Sequence, residues 1–140
     1  MDNLKINHLA CIAAIILITV LGFLWYGPLF GEKWMQLAGL TREGIESNPP
    51  GAGIWITNLI ATVIPVYFLA WLFIRLNVES GARGALIGFG IAFSFVFLSE
   101  MTQNMFSMRP YVLTWIEGGY SLAALTLSGF LLGAWRKYSG

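Results

Sequence analysis

Glu100 stands at the end of a long apolar run in "FVFLSEMTQNMFSMRP", residues 95–110. With Glu117, Asn58, Gln103, Asn104, Tyr26 and Tyr120 it forms the small set of side chains suited to holding a ligand. An ionisable group inside an apolar segment is costly to keep there, so it is a functional candidate by default. Carboxyls facing amides and aromatics suit a cation, a proton or a proton-coupled small amphiphile. The same residues also have structural readings. Asn58 is a common type of helix–helix hydrogen-bonding residue, and either glutamate is close enough in sequence to pair with Arg109. Met101, Met105 and Met108 have helical spacing, but they lie about 100° from the Glu100 face, which favours packing or lipid contact over metal ligation. No nucleotide-binding loop, zinc motif or nucleophile–base pair is present. The expectation is therefore no catalytic residue, no metal site and no enzyme, with any cofactor left unassigned.

The elements that position these groups follow from composition. Charged residues make up 11% of the 140-residue chain and hydrophobic residues 57%, against roughly a quarter charged in ordinary soluble domains. A single domain of this length, residues 1–140, has too little interior to hide that much apolar surface from water. A lipid bilayer is its expected solvent. The net charge of +1 and the lack of a basic patch give no reason to expect nucleic acid.

Four apolar stretches, about residues 9–26, 54–74, 84–106 and 112–135, are long enough to cross a hydrocarbon core of ~30 Å as helices. The expected fold is an all-α integral membrane protein, a bundle of four transmembrane helices. Lys5, Arg75, Arg83, Arg136 and Lys137 fall on the side shared by the termini, and Lys33, Arg42 and Arg109 on the other. That excess places both termini in the cytoplasm. Trp25, Tyr26, Trp34, Trp55, Tyr111 and Trp115 gather towards the opposite, outer face as an interfacial belt. The long first outer loop contains "GPLFGEKWMQLAGLT", read as a short amphipathic segment that ends at Gly39, with Thr41 capping a further turn.

Depth follows from a rise of ~1.5 Å per residue. Glu100 is 17 residues from Arg83 and Asn58 is 17 from Arg75, while Glu117 is 19 from Arg136. All three then share one layer beneath the outer surface, with Tyr26 near the same level. At about 100° per residue, Glu100, Gln103, Asn104 and Ser107 share a helix face with Phe97, Phe93 and Phe89. The small-residue ridge Gly84–Gly88–Ala92 falls on a different face, and Gly129 with Gly133 forms a second ridge. The polar faces, turned towards each other, make an outer vestibule over an aromatic floor.

Two stretches, "FLWYGPLFGEKWMQLAGLT" and "SEMTQNMFSMRPYVLTWIEGGYSLAALTLSGFLLGAW", together resemble the prokaryotic membrane family known as domain of unknown function 1761. The likeness runs from Trp25 to Trp135. Trp25, Tyr26, Pro28, Phe30, Gly31, Trp34, Glu100, Arg109, Gly119 and Tyr120 match its motifs. It implies a small four-span protein of a bacterial cytoplasmic membrane and brings no activity with it. The function expected from the residues is an accessory, structural or small-ligand-binding subunit, docking to itself or to a larger membrane complex. The alternative is a minimal oligomeric transporter of a cation or a proton-coupled small amphiphile.

Overall fold

The computed structural model describes residues 3–139. Its long elements are helical. Helix α1 (His8–Leu24) runs into a π-helical turn at Trp25–Leu29, followed by the short helices α2 (Gly31–Ala38) and α3 (Arg42–Ser47). Helix α4 spans Ala52–Arg75. Helix α5 (Gly81–Ile91) continues through a second π turn, Ala92–Phe97, into α6 (Leu98–Phe106). Helix α7 covers Val112–Ala134. Two three-residue strands, β1 (Asn3–Lys5) and β2 (Lys137–Ser139), pair antiparallel and clasp the two ends of the chain, a contact no local pattern announced.

Local chemistry sets the ends of these elements. Asn7 accepts the Ala10 amide and starts α1, Ser80 accepts the Arg83 amide and starts α5, and Thr41 accepts the Gly44 amide and starts α3. Gly39 closes α2 with φ of 74°, in the left-handed region that costs glycine least. Pro28 and the non-helical backbone of Gly27 bend the chain out of α1.

Three helical stretches are long and apolar enough to cross a membrane: His8–Leu29, Ala52–Arg75 and Gly81–Phe106. Helix α7 matches them in length, but its sequence carries Glu117, Thr114, Thr126 and Ser128 as well as four glycines. Its position explains that composition. It packs against α1, α2, α4, α5, α6 and the second π turn, and Leu113, Thr114, Ser128 and Leu132 are fully or nearly fully buried. The helix that is shielded by its neighbours has the least need of an apolar surface.

The α5–α7 contact is the closest in the molecule. The backbones of Gly84 and Gly129 touch, Gly88 lies on the Leu125 carbonyl and Gly133 on the Ser80 carbonyl, so a Cβ at any of the four would overlap main chain. Both glycine ridges thus serve packing within one chain. Helix α1 adds Cys11, Ala14 and Ile18 to the core, and α4 adds Val66, Leu69, Ala70 and Phe73. Burial on α4 begins only beyond Pro65. Residues 52–61 are exposed, so the N-terminal half of α4 stands away from the bundle.

The second π turn changes one expectation. At about 100° per residue, the 12 residues from Gly88 to Glu100 would put the two about 120° apart. The Leu98 amide instead bonds the Phe93 carbonyl five residues back. That wider turn absorbs one residue and leaves a difference of about 20°. Gly84, Gly88, Ala92, Phe97, Glu100 and Asn104 therefore form one continuous stripe towards α7. Phe89, Phe93 and Phe97 do stack along the helix, but Phe89 and Phe93 are exposed. There is no aromatic floor beneath the acid; only Phe97 turns in.

Candidate functional site

The C-terminal end of α1, helix α6 and the N-terminal end of α7, with α2 laid across them, bring together Glu100, Glu117, Asn104, Tyr26 and Tyr120. Glu100 comes from α6 and Glu117 from α7, and Glu100 Oε2 lies against Gly118, the residue next to Glu117. Glu100 fits there because α7 has no side chain at Gly118. A Cβ at that position would stand 3.3 Å from Glu100 Oε2 and 2.8 Å from the Phe97 ring.

Glu117 is the better anchored of the two. Trp34 Nε1, reaching across from α2, donates to its Oε1 at 3.0 Å, and Arg109 Nη2 approaches the same oxygen at 3.5 Å. Arg109 Nη1 donates to Asn104 Oδ1 at 3.0 Å, and Asn104 Nδ2 donates to Thr114 Oγ1 at 2.9 Å. Asn104 is only 2% exposed, so this network satisfies both ends of a buried amide. The Arg109 pairing expected for one of the glutamates goes to Glu117, and its half-exposed geometry makes it a weak contact by itself.

Aromatic rings wall the pair. The Tyr26 ring packs edge-on against Trp34 and Tyr120. Tyr120 donates to the Ile18 carbonyl at 2.8 Å, and Trp25 Nε1 donates to the Ile116 carbonyl at 2.8 Å. These bonds satisfy the polar tips of rings whose bodies are packed. Half of the expected interfacial belt, Trp25, Tyr26 and Trp34, thus turns inward, while Trp55, Tyr111 and Trp115 stay exposed.

Two of the expected site residues lie elsewhere. Gln103 is exposed on α6. Asn58 is exposed on the outer half of α4, where it lines a separate groove with Thr19, Thr62, Tyr26 and Tyr120. Sequence reasoning left Trp34, Thr114 and Gly118 out of the site. Trp34 lay in the predicted amphipathic segment, but nothing local indicated that its indole would meet an acid 83 residues later.

Comparison with known proteins gives one match. The profile of a family described as "Protein of unknown function (DUF1761)" matches residues 9–133. No curated protein and no solved structure matches the chain.

Proposed function

The chain belongs to the DUF1761 family, and we propose that it is a small-ligand-binding or accessory subunit of a membrane, without enzymatic activity, that takes a proton or small cation between Glu100 and Glu117. The observation carrying this reading is the carboxyl pair itself. Two carboxylates this close repel unless a proton or cation sits between them. Of the two glutamates Arg109 bonds Glu117, and among the described residues no salt bridge reaches Glu100. Glu100 is thus the member whose charge has no structural use. A protein of this size acts with copies of itself or within a larger membrane assembly.

The test compares Glu100→Gln with Glu117→Gln and Arg109→Gln in detergent. The native protein is expected to melt higher in the presence of a small cation, and Glu100→Gln to lose that shift while keeping the cation-free melting temperature. Glu117→Gln should itself destabilise the protein by about 1–3 kcal/mol, read as a lower melting temperature, because it weakens the Trp34 and Arg109 contacts. Adding Arg109→Gln to Glu117→Gln should cost less than the sum of the two. A native protein with no cation response, or a Glu100→Gln protein that melts far lower without cation, would overturn the reading and make Glu100 a packing residue.

The membrane arrangement we propose has α1, α4, α5–α6 and α7 each crossing the bilayer of a bacterial cytoplasmic membrane. Both termini and the 76–80 loop then face the cytoplasm, with α2 lying along the outer surface. The β1–β2 clasp supports this reading, since it holds the two termini on one side. Single cysteines at Glu43 and Ser80 in a Cys11→Ala background should react with an impermeant maleimide from outside at position 43 only. Labelling at position 80 alone would invert the topology.

A further inference from the structure

Two hollows flank the aromatic wall, and neither is lined by Glu100 or Glu117. The first, of about 420 Å³, is a lateral groove between α1 and the detached outer half of α4. Its walls are Phe23, Ile54 and Trp55, with Thr19, Asn58 and Thr62 as the polar points. The second, of about 860 Å³, lies under α2 and α3 and is lined by Glu32, Lys33, Arg42 and Glu46 among others. Tyr26 and Gly27 line both, so the apolar groove and the charged hollow meet at that point.

We propose that the groove and the hollow together bind one zwitterionic phospholipid, its acyl chain between α1 and α4 and its head beneath α2 and α3. Three observations carry this. The groove is large enough for a small-molecule ligand and opens sideways, where α4 has no neighbour over residues 52–61. The head hollow offers two cations and two carboxylates, which complement a phosphate and an ammonium on one molecule and give no net preference for a purely anionic head. Asn58 stands one helical turn below Trp55, near where the chain would join the head, and Thr62 lies one turn deeper along the chain. An amide facing hydrocarbon alone is costly, and a glycerol ester carbonyl or hydroxyl gives it a partner. This site is separate from the carboxyl pair, so either proposal can fail without the other.

The experiment is native mass spectrometry of the full chain in detergent, with lysophosphatidylethanolamine and lysophosphatidylglycerol of equal chain length added at equal concentration. The expected result is a one-to-one adduct with at least fivefold preference for the ethanolamine lipid. Thr62→Trp, which fills the groove, and Asn58→Leu, which removes its amide, should each reduce the adduct about tenfold. Ile64→Trp, on the exposed side of the same helix, should leave it unchanged. Lys33→Glu with Arg42→Glu should abolish the preference between heads. Equal retention of both lipids by the native protein overturns the head assignment. Equal loss with Ile64→Trp, or a protein dimer in place of the lipid adduct, overturns the groove as a lipid site. Melting curves of each variant confirm that a lost adduct is not lost folding.

Discussion

Removing Ser94 is expected to leave the melting temperature of the detergent-purified protein within a few degrees of native, whereas removing Met101, seven residues on, is expected to take the outer site apart. The difference comes from the π turn at Ala92–Phe97. That turn holds one residue more than an α-helical turn needs, and the helices on either side keep a common register only because it does. With Ser94 gone, ordinary α-helical bonds close the segment and Gly88 stays about 20° from Glu100. Ser94 is exposed, so little packing is lost.

Met101 has no such slack around it. Its deletion turns everything after it by about 100° relative to Glu100. Asn104 then leaves Thr114 and Arg109, stranding a buried amide at a cost of about 1–3 kcal/mol, and Arg109 leaves Glu117. Rewinding the π turn to compensate carries Glu100 and Phe97 off Gly118 instead. Either way one half of the network is lost, a large fraction of the stability a protein has. Equal damage from the two deletions would show that the π turn does not set the register.

The second large effect is expected at the glycine contact. Gly84→Ala and Gly129→Ala each put a methyl group into the opposing backbone, which, unlike a side chain, cannot rotate away. Helices α5 and α7 must separate along their most intimate stretch. Overpacking of a core costs about 1–3 kcal/mol, and a backbone obstacle places these at or above the upper end. The double variant should be clearly less destabilised than the sum, because one separation relieves both overlaps. Chemical denaturation or thermal melting of the three variants gives the comparison. Near-native stability of either single variant would mean that the helices do not approach this closely.

Much of this protein is legible in its sequence because the relevant forces act locally. The apolar excess and the long hydrophobic runs depend only on composition and length, and they point to membrane-length helices. Thr41 and Gly39 mark helix ends through bonds to backbone a few residues away. The small-residue ridges and the shared level of Glu100 and Glu117 follow from helical rise and period alone. Even the motif residues Trp25, Tyr26, Trp34 and Tyr120 are those that the structure gathers at one end.

What the sequence left undecided turns on small energy differences that only packing resolves. A π turn differs from an α turn by a single shift in hydrogen-bond partner, and no local preference in "AFSFVF" selects it. The stripe of contacts from Gly88 to Asn104 against α7 does, and so moves Glu100 onto the glycine ridge's own face. The same holds for partners far apart in the chain. Trp34 meets Glu117, and Tyr120 meets the Ile18 carbonyl, because α2 and α1 lie against α7. Asn58 shared a predicted depth with the two glutamates, but depth along separate helices says nothing of which helices touch. The N-terminal half of α4 stands apart, so Asn58 faces the groove while Glu100 lies against α7 beside Glu117.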